Sequence, residues 1–188
     1  MRKVLQLLSV VVVGIAVALM LISPELVLIF GSPKYREAVY VIPPVAASVF
    51  FIFIYNILSM PQFYYEKTQF LMAASMAAAG ANVVLNFIFI RLFGYIAAGY
   101  TTLACYMLYS VGHYIVSKRI LVNEGIQENL MNPGFLLACS VFLIGASIIC
   151  NLIFPYRILR YAILLASAGL VFWKKELLLK TMADIRKK

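Results

Sequence analysis

Charge is scarce in this chain: only 12% of its 188 residues are Asp, Glu, Lys or Arg, and just 7 are acidic. That excludes a disordered polyampholyte and an ordinary soluble surface. Histidine occurs once, at His113, and the cysteines number 3 (Cys105, Cys139 and Cys150) with no C-x-x-C pair. One imidazole and three scattered thiols make no metal site and no disulfide framework, so the cysteines read as small packing residues. There is no P-loop, no G-x-G-x-x-G after a strand, no G-x-S-x-G and no H-E-x-x-H. No pair of acids lies deep in an apolar run. The expectation is a protein that is not an enzyme and needs no cofactor. Alternation of apolar and polar residues is also missing, which argues against a β-barrel.

What is present is apolar: 64% of the residues. A hydrocarbon core about 30 Å thick needs roughly 20 apolar residues per helix. Charge-free runs of that order extend over Val4–Pro24, Ala38–Tyr65, Thr68–Ile90, Leu92–Val116 and Asn129–Tyr156. A shorter run, Tyr161–Trp173, is flanked by Arg157, Arg160, Lys174 and Lys175, whose long side chains are expected to snorkel to the interfaces. The fold class expected is therefore all-α integral membrane, with six transmembrane helices. The first run opens with Arg2-Lys3 like a signal peptide. It is longer than the usual apolar core of about 7 to 15 residues and lacks an A-x-A site, so it reads as a retained span.

The net charge of +9 does not point to nucleic acid, because the basic residues cap the runs. Arg2, Lys3, Lys67, Lys118, Arg119 and the bases of the tail fall on one side. Lys34, Arg36, Arg91, Arg157 and Arg160 fall on the other. The more basic side faces the cytoplasm, which places both termini there. The organisation expected is a four-helix segment over 1–117, a cytoplasmic linker over 118–134 carrying Glu124 and Glu128, a two-helix segment over 135–173, and a basic tail over 174–188. That tail reads either as a helix on an anionic leaflet or as a stop-transfer cluster.

Several details are legible along the runs. Pro24 predicts a kink before a stub, LVLIF, that continues toward the outer interface. Glu25 beside it is the most intramembrane carboxylate, either interfacial or buried and paired. Pro43-Pro44 marks a helix start or a bend, and Pro61 is expected to stop the second helix. In the third run Ser75, Ala79, Asn82 and Asn86 share one helical face within a cluster of small residues. The fourth carries Thr102, Tyr106, Ser110 and His113 on one stripe. Two seams on consecutive helices joined by a turn at Gly94 fit either interhelical hydrogen bonding or a hydrated cavity. The cavity reading expects Asn82, Asn86 and Ser110 to meet water.

Residues 30–103 resemble the C-terminal lobe of bacterial polysaccharide (oligosaccharide) flippases of the multidrug/oligosaccharidyl-lipid/polysaccharide exporter superfamily. The resemblance rests on Ser23-Pro24-Glu25-Leu26 leading to Phe30-Gly31, then Lys34-Tyr35 before Ala38, and Tyr64 before Glu66-Lys67-Thr68. Most specific is Asn82 and Asn86 followed by Phe93-Gly94 and Ala97-Ala98. Arg91 departs from the family, which usually has proline there. Family members have two such lobes with the path between them; this chain resembles one, either a piece of a longer protein or a half that pairs with a second lobe or a second copy. The resemblance implies passage of a polyprenyl-diphosphate-linked oligosaccharide across the bacterial inner membrane. Asn82, Asn86, Arg91, Thr102, Tyr106, Ser110 and His113 are the substrate-path candidates, and arginine suits a diphosphate. The partners implied are the bilayer and the lipid-linked sugar. Two other readings stay open: a drug/cation antiporter lobe, with Glu25 as the candidate coupling carboxylate, and a non-transporting scaffold or remnant.

Overall fold

The computed structural model describes residues 2–126 and 130–173. Among them there is no strand. Six α-helices follow one another: α1 Arg2–Phe30, α2 Ile42–Tyr64, α3 Gln69–Phe93, α4 Ala97–Asn123, α5 Pro133–Ile153 and α6 Arg157–Trp173, with a 3₁₀ segment Pro33–Val41 between α1 and α2. Four stretches are long and apolar enough to cross a membrane: α1, the 3₁₀ segment continuing into α2, α3, and α5. The two remaining helices differ in kind. The 27 residues of α4 are long enough but carry Thr101, Thr102, Ser110, His113, Ser117, Lys118 and Arg119. The 17 residues of α6 span only about 25 Å. Glu128 and the tail over 174–188 lie outside the described residues, and with them the amphipathic reading of that tail.

The centre of the bundle is α2. It packs against α1, α4 and α5, and it buries Ala47, Phe50, Phe51, Ile54, Ile57 and Leu58. These meet Met20 and Leu21 of α1, Leu103 of α4 and Leu143 of α5 in one core. Gly99 lets α4 close on the start of α2: a Cβ there would sit 2.7 Å from Pro44 Cγ and 3.0 Å from the Val41 carbonyl oxygen. In contrast, α3 packs on α4 and has no buried residue.

The prolines sort themselves by position. Pro43 and Pro44 occupy the first turn of α2, where their missing N–H groups cost nothing, so they start the helix and do not bend it. The helix α1 continues through Pro24 to Phe30, as the stub predicted. Pro61 does not stop α2, which runs on to Tyr64. A proline this near a C-terminus removes one hydrogen bond and leaves the last turn intact. The stop comes at Glu66, whose φ of 56° is left-handed. The Lys67 N–H then reaches back to the Gln62 carbonyl at 2.8 Å, a Schellman closure.

Two further boundaries move. The linker expected from residue 118 begins later, because α4 continues through Lys118 and Arg119 to Asn123. Charge ends a hydropathy run, but Lys and Arg are good helix formers, so it does not end a helix. Gly125, with φ 77°, closes α4 by the same motif, the Ile126 N–H bonding the Leu121 carbonyl at 2.8 Å. The start of α5 is Asn132, whose Oδ1 accepts from the Gly134 N–H at 3.0 Å, with Pro133 in the first turn. The predicted turn at Gly94 is present, also with φ 77°.

Candidate functional site

Along the half of the α3–α4 pair that ends at Gly94, the predicted asparagines form a ladder. Asn86 donates to Asn82 Oδ1 at 2.9 Å, and Asn82 donates to Thr102 Oγ1 at 3.4 Å. Thr101 donates to Asn86 Oδ1 across the interface. The amides at i and i+4 on α3 thus bond each other and two threonine hydroxyls of α4. Unpaired amides in hydrocarbon cost several kcal/mol each, and this pairing removes most of that cost.

Beside the ladder, between the same helices, lies a groove of about 450 Å³. Ser75, Asn82 and Ala79 line it from α3, Thr102, Tyr106 and Tyr109 from α4, and Tyr55 of α2 forms its floor. Ser75 Oγ and Tyr109 Oη lie 2.6 Å apart. The Tyr55 ring stacks on Tyr106 at 6.4 Å and meets Tyr109 edge-on at 4.6 Å. Aromatic faces, phenols, a serine hydroxyl and an amide therefore share one open trough between apolar helices.

The α4 stripe does not stay on one neighbour. Thr102 and Tyr106 look onto the groove, but Ser110 and His113 turn to α2. Ser110 is buried, and its hydroxyl lies 2.9 Å from the Phe51 carbonyl and 2.8 Å from that of Tyr106. His113 is fully buried, with Nδ1 2.8 Å from Gln62 Nε2 and its ring boxed by Tyr109 and Phe70. The expectation that Ser110 meets water is corrected: it ties α4 to a backbone carbonyl of α2. Arg91 stands apart from the groove. It is exposed in the last turn of α3, its guanidinium 3.9 Å from the centre of the Phe87 ring.

A second polar cluster joins the ends of the bundle. Glu25 Oε1 is 2.7 Å from Arg160 Nη2, Oε2 is 3.0 Å from Nη1, and Nη1 also reaches the Leu21 carbonyl at 3.3 Å. The Tyr161 phenol donates to Glu25 Oε1 at 2.7 Å. The Arg160 side chain is 2% exposed and that of Glu25 25%. Arg160 is therefore not a snorkelling cap. It points inward and holds α6 on α1 in a bidentate pair, the geometry in which guanidinium and carboxylate match best. Of the two readings of Glu25, the structure has the paired one.

Sequence reasoning missed Tyr55, Tyr109 and Gln62 as site residues. Tyrosines in a span invite an interface reading, and the only available signal was the i, i+3 pair Tyr106 and Tyr109 on α4. Among the described residues no three His, Cys, Asp or Glu side chains come together as a metal site. Compared with models of protein families, with curated proteins and with solved structures, the chain has no match.

Proposed function

We propose that the chain is one lobe of a flippase-type transporter, with six spans and both termini in the cytoplasm, and that the α3–α4 groove is one wall of its substrate path. The cargo is an amphipathic lipid-linked oligosaccharide of the bacterial inner membrane. The observation that carries this reading is the composition of the groove. Tyr55, Tyr106 and Tyr109 offer stacking faces and phenols, and Ser75, Asn82 and Thr102 offer hydroxyl and amide groups, within helices otherwise clad in hydrocarbon side chains. Sugars present apolar ring faces edged by hydroxyls, so aromatic surface plus hydrogen-bonding groups replaces their water. The groove is open on one side, and α3 is exposed along its length, so an opposite wall from a second lobe or a second copy completes the path.

Placement refines the candidate residues. Tyr55, Ser75, Tyr106 and Tyr109 line the path, Asn86 and Thr101 hold its roof, and His113 and Ser110 fix α4 to α2. Glu25 is saturated by Arg160 and Tyr161, which leaves it poorly suited to exchange a coupling ion and disfavours the antiporter reading. The scaffold reading has one observation in its favour: the asparagine ladder is closed by interhelical hydrogen bonds.

The deciding experiment uses proteoliposomes carrying a fluorescent lipid-linked oligosaccharide whose outward-facing fraction is bleached by dithionite. The chain together with a second lobe is expected to expose the protected fraction, and the chain alone is expected to do so only where two copies pair. Tyr55→Ala and Tyr109→Ala in the active pair should each slow flipping by about ten-fold, the scale of one to two lost stacking or hydrogen-bond contacts. Unchanged rates in both variants would leave the scaffold reading standing.

A further inference from the structure

On the α5 side of the α2–α4 pair lies a crevice of different chemistry. Between α4 and α5, over α2, there is a cavity of about 330 Å³. Phe51, Ile54 and Leu58 of α2 form its floor, Val111 and Tyr114 of α4 one wall, and Leu137 of α5 the other. Only two hydroxyl side chains other than tyrosine reach it, Ser110 and Ser140. Both lie against backbone carbonyls: Ser110 at the Phe51 and Tyr106 oxygens, Ser140 at the Leu136 oxygen, 2.8 Å away. Their polarity is thereby turned into the helices, and the crevice presents hydrocarbon to whatever fills it. Val111 and Leu137, 55% and 66% exposed, stand at its lips, so it opens outward along the bundle.

One end of the crevice carries a charge. Met107, Val111, Tyr114 and Lys118 follow i, i+4, i+7 and i+11, which places Lys118 on the crevice face of α4. It sits one turn, about 6 Å, beyond Tyr114. Lys118 is exposed and has no ion pair among the described residues. It lies at the end of α4 where α5 begins, so the apolar trough runs from the middle of the bundle up to the exposed ammonium of Lys118 at its rim. From Met107 to Tyr114 the trough extends about 10 Å along the helix, inside the roughly 15 Å depth of one leaflet.

We propose that this crevice holds one acyl chain of an anionic bilayer phospholipid, with Lys118 at its phosphate. An apolar trough ending in an exposed cation has the polarity of such a lipid laid along it: tail in the trough, headgroup at the rim. The site is separate from the α3–α4 groove, on the α5 side of the α2–α4 pair, and does not depend on what passes there.

Native mass spectrometry of the full chain, released from nanodiscs of phosphatidylcholine with phosphatidylglycerol, tests the proposal by counting retained lipids. The wild-type chain is expected to retain one phosphatidylglycerol in preference to phosphatidylcholine. Val111→Trp fills the trough from an exposed position and should abolish retention. Leu137→Trp does the same from α5, should the first variant not fold. Ile149→Trp, on exposed α5 surface outside the crevice, should leave retention unchanged. Lys118→Gln should weaken the preference for phosphatidylglycerol by about five-fold, the share of one lysine at an anionic surface. Retention that survives both tryptophan variants would overturn the proposal, as would equal retention of the two lipids by the wild type and Lys118→Gln. An added isoprenoid phosphate that displaces phosphatidylglycerol at equal concentration would also overturn it, by reassigning the crevice to an isoprenoid tail.

Discussion

Replacing Glu25 by leucine should destabilise the protein far more than its position near a helix end suggests. In the intact chain the carboxylate engages both terminal nitrogens of Arg160, at 2.7 and 3.0 Å, and Arg160 is 2% exposed. Among the described residues the guanidinium then keeps one hydrogen-bond acceptor, the Leu21 carbonyl at 3.3 Å, with the Tyr161 ring 5.5 Å away, and its Nε has no partner. A buried charge stripped of its partner costs about 3 to 5 kcal/mol, and the hydrocarbon around α1 and α6 places this one near about 4 kcal/mol. The reverse variant, Arg160→Met, strands a carboxylate that is 25% exposed and still bonded to Tyr161. It should cost about 2 kcal/mol. The double variant Glu25→Leu/Arg160→Met removes both charges and should lie within about 1 kcal/mol of wild type, since apolar isosteres replace buried ion pairs at little cost. Reversible unfolding by SDS titration in mixed micelles, followed by circular dichroism, measures all three. The reasoning fails if the two single effects add in the double variant, because additivity would mean that the residues do not interact. It fails equally if each single variant costs under about 1 kcal/mol.

The remaining predictions concern the groove and the turns. Cysteine at Ser75 should react with a water-soluble maleimide in membranes, whereas cysteine at Ser110 should not, because Ser110 is buried against the Phe51 carbonyl; labelling yields compare them directly. Asn86→Ala should cost about 0.6 kcal/mol in the same SDS titration, the usual worth of an interhelical hydrogen bond in a membrane. Gly99→Ala should cost about 1 to 3 kcal/mol through overpacking, since its Cβ would meet Pro44 and the Val41 carbonyl at 3.0 Å or less. A reporter fused at Gly125 should read cytoplasm if both termini lie there, and a periplasmic signal would break the six-span topology.

How much was legible before any fold was known differs by feature. Helix number and most helix centres follow from run length, because a span must hide its backbone and present apolar side chains over a fixed thickness. Pro43-Pro44 and Gly94 act through local backbone geometry, and local geometry is written in local sequence. The misplaced boundaries at Pro61 and Lys118 share one cause. Hydropathy and proline mark where lipid burial or ideal hydrogen bonding ends, whereas a helix ends where its carbonyls find another closure, here at Glu66 and Gly125.

The sequence by itself determined an all-helical, membrane-suited chain, the amide pair Asn82 and Asn86 on one face, and the stripe on α4. Helical periodicity states which way a side chain points around its own axis, and that is a property of a few neighbouring residues. Only the tertiary structure decided what stands opposite. It divided one α4 stripe between α3, which receives Thr102, and α2, which receives Ser110 and His113. It turned Arg160 from a surface cap into the partner of Glu25, a carboxylate 135 residues away. It also gathered Tyr55, Tyr106 and Tyr109 into one trough. Such pairings depend on which helices pack together and at what height, and no short stretch of chain contains that information.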